Sequence, residues 1–250
     1  MACRNRAGES RLAGRVSVRY GLAMSAAFSL VFETSTPHAS LALAGRAGRV
    51  ELREFRSDRN HNALLFAPLQ ELLHDGGHRE IGLVLVGSGP GSYSGTRVGI
   101  AAAQGVAMAL ACPAVAVPSI LAVPSAANGA ACLAIGDARR GSFWSARVEN
   151  FCLAGEPELC DANGLEAVLS AAAAQGIAVF SFEDPSRFLL PGVLARLVKP
   201  EFPDAVRLWQ AWLGTSEENR RKWSAEIPQP HYLKPPHITP AKRPPLVRPG

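Results

Sequence analysis

The chain has 250 residues, of which 48% are apolar and 19% charged, a balance that excludes a disordered polyelectrolyte and leaves room for one large domain or two modest ones. Its formal net charge of +5 invites a nucleic-acid reading, but that charge is unevenly placed. Residues 1–23 hold five arginines against Glu9, and residues 231–250 hold Lys234, Lys242, Arg243 and Arg248 with no acid, so each end sums to +4 and the body between them to −3.

Five cysteines, an odd number with no Cys-x-x-Cys spacing, point to reduced thiols in a cytoplasmic protein and away from a disulfide framework or zinc ribbon. The arginine-rich start has the composition of a transit peptide, and a short apolar stretch follows from Gly21 to Phe32. Glu33 and the polar run Thr34 to His38 separate that stretch from the nearby Ala42-Leu43-Ala44, which disfavours a secretory signal. The reading adopted is that Met24 is the natural start and that residues 1–24 are a disordered or non-native extension.

Ser29 to Phe32, Ala39 to Ala44 and Val50 to Phe55 are short apolar or alternating runs separated by turn formers. They predict three antiparallel strands. Leu64, Leu65, Leu69, Leu72 and Leu73 recur at helical spacing, predicting a helix from about His61 until Gly76. His74 and His78 have the i, i+4 spacing of a metal pair, but Asp75-Gly76-Gly77 between them reads as a helix end. Ile81 to Val86 predicts a buried strand, a glycine cluster follows, a helix runs on to Ala111, and Ala114 to Val117 makes another strand. No charged residue lies between Arg97 and Asp137, yet Pro113, Pro118 and Pro124 cut this stretch into pieces shorter than the ~20 residues of a membrane span. No membrane is expected.

Three strands, helix, strand, helix, strand is the order of a mixed sheet flanked by helices. A second half restarts near Ala131. Cys132 to Ile135 and Ser142 to Val148 predict a hairpin around Asp137 to Gly141, followed by a helix over Leu165 to Ala174 and a strand over Ile177 to Phe182. Beyond Asp184 only a helix around Ala205 to Leu213 stands out. Six of the nineteen prolines fall in the last twenty residues, which makes an extended basic tail. The chain thus divides into the extension 1–24, a first subdomain 25–125, a second and partly degenerate one 126–230, and the tail 231–250.

The most informative run is Val86-Gly-Ser-Gly-Pro-Gly-Ser-Tyr-Ser-Gly-Thr-Arg97, set between a predicted strand and a predicted helix. Glycines allow tight turns and close approach, and N–H groups at a helix start favour an anion, so the run has the make-up of a phosphate cradle. Simple turn-making fits the local pattern equally. No Gly-Lys-Ser/Thr follows, the spacing is not that of a dinucleotide fingerprint, and Tyr93 stands where a hydrolase elbow needs its nucleophile. In the following helix Gly95, Gly99, Ala102, Ala103, Gly105, Val106 and Ala109 form a run of small side chains, which fits close packing within the chain or against a partner helix.

Together these residues resemble the bacterial TsaB (YeaZ) family, which acts in the biosynthesis of threonylcarbamoyladenosine in transfer RNA. The match is carried by Leu30 to Thr36 with Ser40 to Leu43, by Gly87 to Leu110, by Ile135-Gly-Asp-Ala-Arg-Arg-Gly141 and by Pro230-His-Tyr-Leu-Lys234. The resemblance implies an α/β fold of the actin-like, ASKHA (ribonuclease H-like) kind, with two related subdomains of mixed sheets flanked by helices. It implies a non-catalytic subunit that binds and activates TsaD as a heterodimer, with TsaE as the associated ATPase, a homodimer in isolation, and transfer RNA reached through the complex.

By the same resemblance, the nucleotide or phosphate-loop candidates are Glu33, Thr34, Ser35, Gly89, Pro90, Gly91, Ser92, Gly95, Arg97 and Asp137. The implied partner surface falls on His61, Leu65, Leu69 and Leu72 and on Gly95, Gly99, Ala102, Val106 and Ala109. No catalytic residue and no metal ligand is assigned, because this chain reads Ser119-Ile-Leu-Ala-Val123 where the catalytic relatives carry a His-x-x-x-His pair. Glu33 stands where the family usually has Asp, and Phe180-Ser-Phe-Glu-Asp184 lacks the glycines of a second phosphate loop. No cofactor is therefore expected on this chain alone, and ATP or ADP only at an interface of the complex. The alternatives are a small-molecule kinase of the same fold, with Asp137 as general base, and a peptidase-like protein. Asp137 and Arg139 otherwise serve to fix the second hairpin by a hydrogen bond and an ion pair. Arg97 and the basic tail are candidates for direct contact with RNA phosphates, beside a tail that only aids solubility.

Overall fold

The structure, a computed structural model, describes residues 28–45, 48–57, 61–75, 80–188 and 190–231. The expected extension 1–24, the stretch from Gly76 to His78, and the tail after His231 lie outside the described residues.

Strands β1 (Phe28–Glu33), β2 (His38–Ala44) and β3 (Val50–Arg56) form an antiparallel meander. β4 (Ile81–Gly87) joins β1 in parallel and β5 (Ala114–Val117) joins β4, giving the order β3-β2-β1-β4-β5. Both faces of this sheet are covered. Leu30, Phe32, Leu41, Leu43, Val84 and Val86 pack on one side, while Val31, Ala42 and Leu85 pack on the other. A strand buried on both faces needs apolar residues at every position, which is why β1 and β4 read as continuous runs.

The single helix expected from His61 is two, α1 (His61–Leu64) and α2 (Phe66–Asp75). Pro68 accounts for the break, since it has no N–H to donate and its ring crowds the carbonyl of residue 64; it is tolerated in the first turn of a new helix. α3 (Tyr93–Ala109) starts at Ser92, whose side chain accepts from Gly95 N and so satisfies one of the amides a helix start leaves over.

The second sheet repeats the arrangement with β6 (Cys132–Arg139), β7 (Ser142–Glu149), β8 (Cys152–Leu153), β9 (Glu158–Cys160), β10 (Ala178–Ser181) and β11 (Val198–Pro200). Its order is β11-β10-β6-β7-β8, with β9 also on β7. β6 and β7 are antiparallel, and β6, β10 and β11 are parallel. α4 (Ala162–Ala174) stands between β9 and β10 as α2 stands between β3 and β4, but the counterpart of α3 shrinks to α5 (Gly192–Ala195). Two related mixed sheets flanked by helices are the ASKHA-like architecture that the resemblance implies.

The proposed subdomain boundaries need a correction at the end of the chain. α6 (Ala205–Gly214) and α7 (Glu217–Ala225), assigned from sequence to the second half, return to the first sheet, α6 against β1, β2 and β4 and α7 against β5. The cause is the apolar stripe of α6. Leu208, Trp209, Ala211 and Trp212 share one core with Val31, Ala42 and Leu85 of the first sheet and with Cys132, Ala134 and Phe180 of the second. A buried hydrogen bond from Ala205 N to Ser40 Oγ, 2.9 Å, fixes the start of this helix against β2. No described helix is long and apolar enough to cross a membrane.

Candidate functional site

The glycine loop, from Gly87 to the start of α3, is packed against the turn between β1 and β2. A Cβ at Gly87 would overlap Glu33 Oε2 and Ser119 Oγ, one at Gly91 the carbonyl oxygen of Ser35, and one at Gly99 the hydroxyl of Thr34. These three glycines therefore admit the turn, which no larger residue allows. Thr34 Oγ1 donates to Gly95 O at 2.8 Å, and Ser92 N donates to Ser35 O at 2.6 Å. Ser88 N donates to Val117 O at 2.9 Å, Gly89 N to Ser119 Oγ at 3.0 Å and Gly95 N to Ser92 Oγ at 3.2 Å. Four loop amides, those of Ser88, Gly89, Ser92 and Gly95, thus serve oxygens of the chain itself.

Glu33, Thr34, Ser35, Gly89, Gly91, Ser92 and Gly95 lie together at this joint. Glu33 is fully buried. Its Oε1 accepts from Ser35 N at 2.8 Å, while Oε2 and the Ser35 hydroxyl reach no hydrogen-bond partner. Burial pushes this carboxyl above its usual range; the Ser35 N–H opposes the rise and the Asp204 charge adds to it. Arg97 stands apart, exposed on the first turn of α3 with its guanidinium 4.2 Å from the centre of the Tyr93 ring.

Between the two sheets lies a cleft of about 750 Å³, bordered by Pro90, Gly91 and Ser92 of the loop, by Asp137 and Arg139 of the second hairpin, and by Trp144, Phe182 and Phe202. Asp137 Oδ1 accepts from Arg139 N at 2.6 Å, and Oδ2 lies 3.5 Å from the Arg139 guanidinium. The backbone N–H of Asp137 donates to Glu183 Oε2 at 2.9 Å. Arg140 and Gly141, with φ of +61° and +72°, make the mirror-image two-residue turn that suits a twisted hairpin. The Asp137 carboxylate is engaged in holding that hairpin. Trp144 was not singled out by the sequence, although its cross-strand partner Gly136 is the signal that reveals it, since a glycine inside a strand marks a close approach.

The partner-surface candidates divide by burial, and several need correction. Leu65, Leu69 and Leu72 are buried in the core of the first subdomain with Ile100 and Ala103. Leu69 and Leu72 form the inner face of α2 because leucines at this spacing point the same way, and Leu65 is buried at the break between α1 and α2. Gly95 and Gly99 are buried too, turned toward Thr34. Ala102 and Val106 are half-buried against the same core, and Ala109 is exposed. The His61 side chain lies outside the described residues. Leu64, Phe66, Leu73, Met108 and Leu110 are instead exposed apolar side chains here, Phe66 at 58% and Met108 at 83%, and α1 lies against α3. Ser119 to Val123 are buried, four of the five being apolar. Among the described residues no group of three His, Cys, Asp or Glu side chains is placed to hold a metal ion.

The model of the family described as TsaD, tRNA N6-adenosine threonylcarbamoyltransferase, matches residues 31–182. The chain belongs to the TsaD family. The TsaD match runs from β1 through β10 and so takes in both sheets, the glycine loop and the second hairpin. Two curated relatives carry the name tRNA threonylcarbamoyladenosine biosynthesis protein TsaB. That of Escherichia coli is 33% identical over 123 residues, 46% of this chain and 53% of its own length; that of Haemophilus influenzae is 31% identical over 100 residues, 39% and 42%. The chain spans about half the length of these relatives. Among solved structures, YeaZ from Pseudomonas aeruginosa superposes with a TM-score of 0.61 at 23% identity, covering 82% of this chain and 99% of that one. Another solved structure, described as an uncharacterized protein with similarity to peptidase YeaZ from Pseudomonas aeruginosa, gives 0.63 at 23% identity, covering 83% and 100%. These neighbours agree with the TsaD family in fold.

Proposed function

We propose that this chain is a non-catalytic TsaB-type subunit that binds and activates TsaD in the threonylcarbamoylation of transfer RNA. The observation that carries the reading is the exposure of large apolar side chains on these helices, Phe66 at the start of α2 at 58% and Met108 on α3 at 83%, with α1 lying against α3. Side chains this apolar and this open, with the exposed small residues Ala101, Gly105 and Ala109 also on α3, are what a helix-packing partner covers. In isolation the same surface would pair with a second copy of the chain.

Two further observations support the proposal. The stretch Ser119 to Val123 is buried core, where the resemblance gives the catalytic relatives a metal-binding histidine pair. The loop amides already serve the chain's own oxygens, which favours ATP or ADP, with TsaE, at an interface of the complex over a triphosphate clamped by this chain. Reconstitution tests the reading. TsaD, TsaE and the supplier of the threonylcarbamoyl adenylate are combined with transfer RNA, and modified adenosine is measured with and without this chain. The expected result is a yield that depends on the chain; equal yields would overturn the proposal.

A further inference from the structure

The cleft between the sheets differs from the rest of the surface in the rings that border it. Trp144 packs onto Gly136, whose missing side chain admits the indole. Phe182 stands 6.0 Å from Phe180 between ring centres, and His38 stacks on Phe202 at 4.2 Å. Trp144, Phe182, His38 and Phe202 all border the same cavity, and none of the four is buried. Arg139 and Arg187 stand at its edge, held by the carboxylates of Asp137 and Glu183. His231 N donates to Ser88 O at 2.8 Å, and His231 itself borders the cleft; the sequence after it holds four basic residues and no acid.

Accessible rings, guanidinium groups beside them and a basic flanking segment are the parts with which proteins hold single-stranded nucleic acid. A nucleoside triphosphate calls for free loop amides and a helix start turned to the ligand, and here the amides of Ser88, Gly89, Ser92 and Gly95 are bonded within the chain. We infer that the cleft receives an unpaired base of single-stranded RNA, stacked on Trp144, with the adjoining phosphates against Arg139 and Arg187. The choice of RNA as the nucleic acid rests on the function proposed above; the stacking chemistry does not. Because the arginines at the edge are paired with acids, the cleft supplies base stacking, and long-range attraction comes from the segment after His231.

The full chain, without partners, is titrated into a short unstructured RNA labelled with fluorescein, and anisotropy is read beside tryptophan fluorescence. Saturable binding with quenching is expected, and Trp144→Leu weakens it by about tenfold or more. Arg187→Glu, at an exposed side chain that leaves the fold intact, weakens it as well, so the inference stands or falls even where the tryptophan variant misfolds. Removing residues 235–250 lowers the salt dependence but keeps the effect of Trp144→Leu. Unchanged binding by both point variants overturns the inference, as does displacement of the RNA by AMP or ATP at equal concentration, or equal affinity for duplex RNA. A chain that stimulates TsaD yet binds no RNA refutes the cleft assignment alone; one that binds RNA yet leaves the yield of modified adenosine unchanged refutes the proposed function alone.

Discussion

Thr34 Oγ1 donates to the carbonyl oxygen of Gly95 at 2.8 Å from the space that a side chain at Gly99 would occupy. One hydroxyl thus ties the β1–β2 turn to the first turn of α3, and the glycine one turn further along makes room for it. Gly99→Ala is expected to destabilise the chain by about 1–3 kcal/mol through overpacking, although alanine is the better helix former. The Gly99→Ala, Thr34→Ala double variant should recover part of that loss, since the overlapping oxygen is gone. Urea unfolding of the two single variants and the double one checks this. Purely additive costs would show that the two residues do not press on each other.

Glu33 gives the fold a pH dependence whose sign follows from burial. Its carboxyl is pushed above the ordinary value of 4.5 in the folded chain, so above that pH the unfolded state loses the proton first. Folded Glu33 then binds more protons than unfolded Glu33, and stability falls as pH rises until the folded group ionises as well. The contribution is fully present below about pH 4.5 and is lost upward from there. Glu33→Gln keeps the shape and removes the titration. The unfolding free energy of the wild type minus that of the variant should therefore decline from pH 4.5 toward neutrality, in urea titrations at matched salt. A difference that stays flat would mean that burial does not hold the proton on this group.

Much of the first subdomain is legible in the sequence because β1, β2 and β4 are buried on both faces and the turns are marked by glycine and proline. The glycine loop is legible as a place, yet its role is not. The free amides that a phosphate cradle needs and the bonded amides found here come from the same residue types, and the positions of the acceptors, on Ser35, Ser92, Val117 and Ser119, decide between them. The partner surface shows the converse. Leu65, Leu69 and Leu72 stand out because they are periodic, and periodicity marks the core-facing side; Leu64 and Leu73 share that pattern yet turn outward, and Phe66 lies outside it. α6 is legible as a helix, but its return to the first sheet depends on contacts with residues more than a hundred positions away, which no local pattern encodes. α7, charged at five of its nine positions, offers no apolar stripe to read.

The return of α6 makes Ser40 a fastening point. Its hydroxyl accepts from Ala205 N at 2.9 Å, and both residues are buried. Ser40→Ala leaves that N–H without an acceptor, at an expected cost of about 1–3 kcal/mol. Amide exchange should rise selectively at residues 205–214 before the rest of the chain opens. Faster exchange spread evenly over both sheets would contradict a local fastening, and unchanged exchange would mean that the stripe of Leu208, Trp209 and Trp212 holds the helix without the serine.

The exposed surface at α1, α2 and α3 separates a binding role from a folding one. Met108 at 83% and Phe66 at 58% exposure have little burial to lose, so Met108→Glu and Phe66→Glu should shift stability by no more than about 0.5 kcal/mol. Placing a charge in the middle of a helix-packing interface leaves it desolvated and unpaired, and binding to TsaD should weaken by at least about tenfold. Val193, 78% exposed on α5 of the second subdomain, supplies the control, because Val193→Glu adds the same charge away from the proposed surface. Calorimetric titration of TsaD with the three variants distinguishes the cases. Equal weakening by all three would trace the effect to net charge, whereas loss confined to Met108→Glu and Phe66→Glu would assign the contact to the small-residue face of α3 and the first turn of α2.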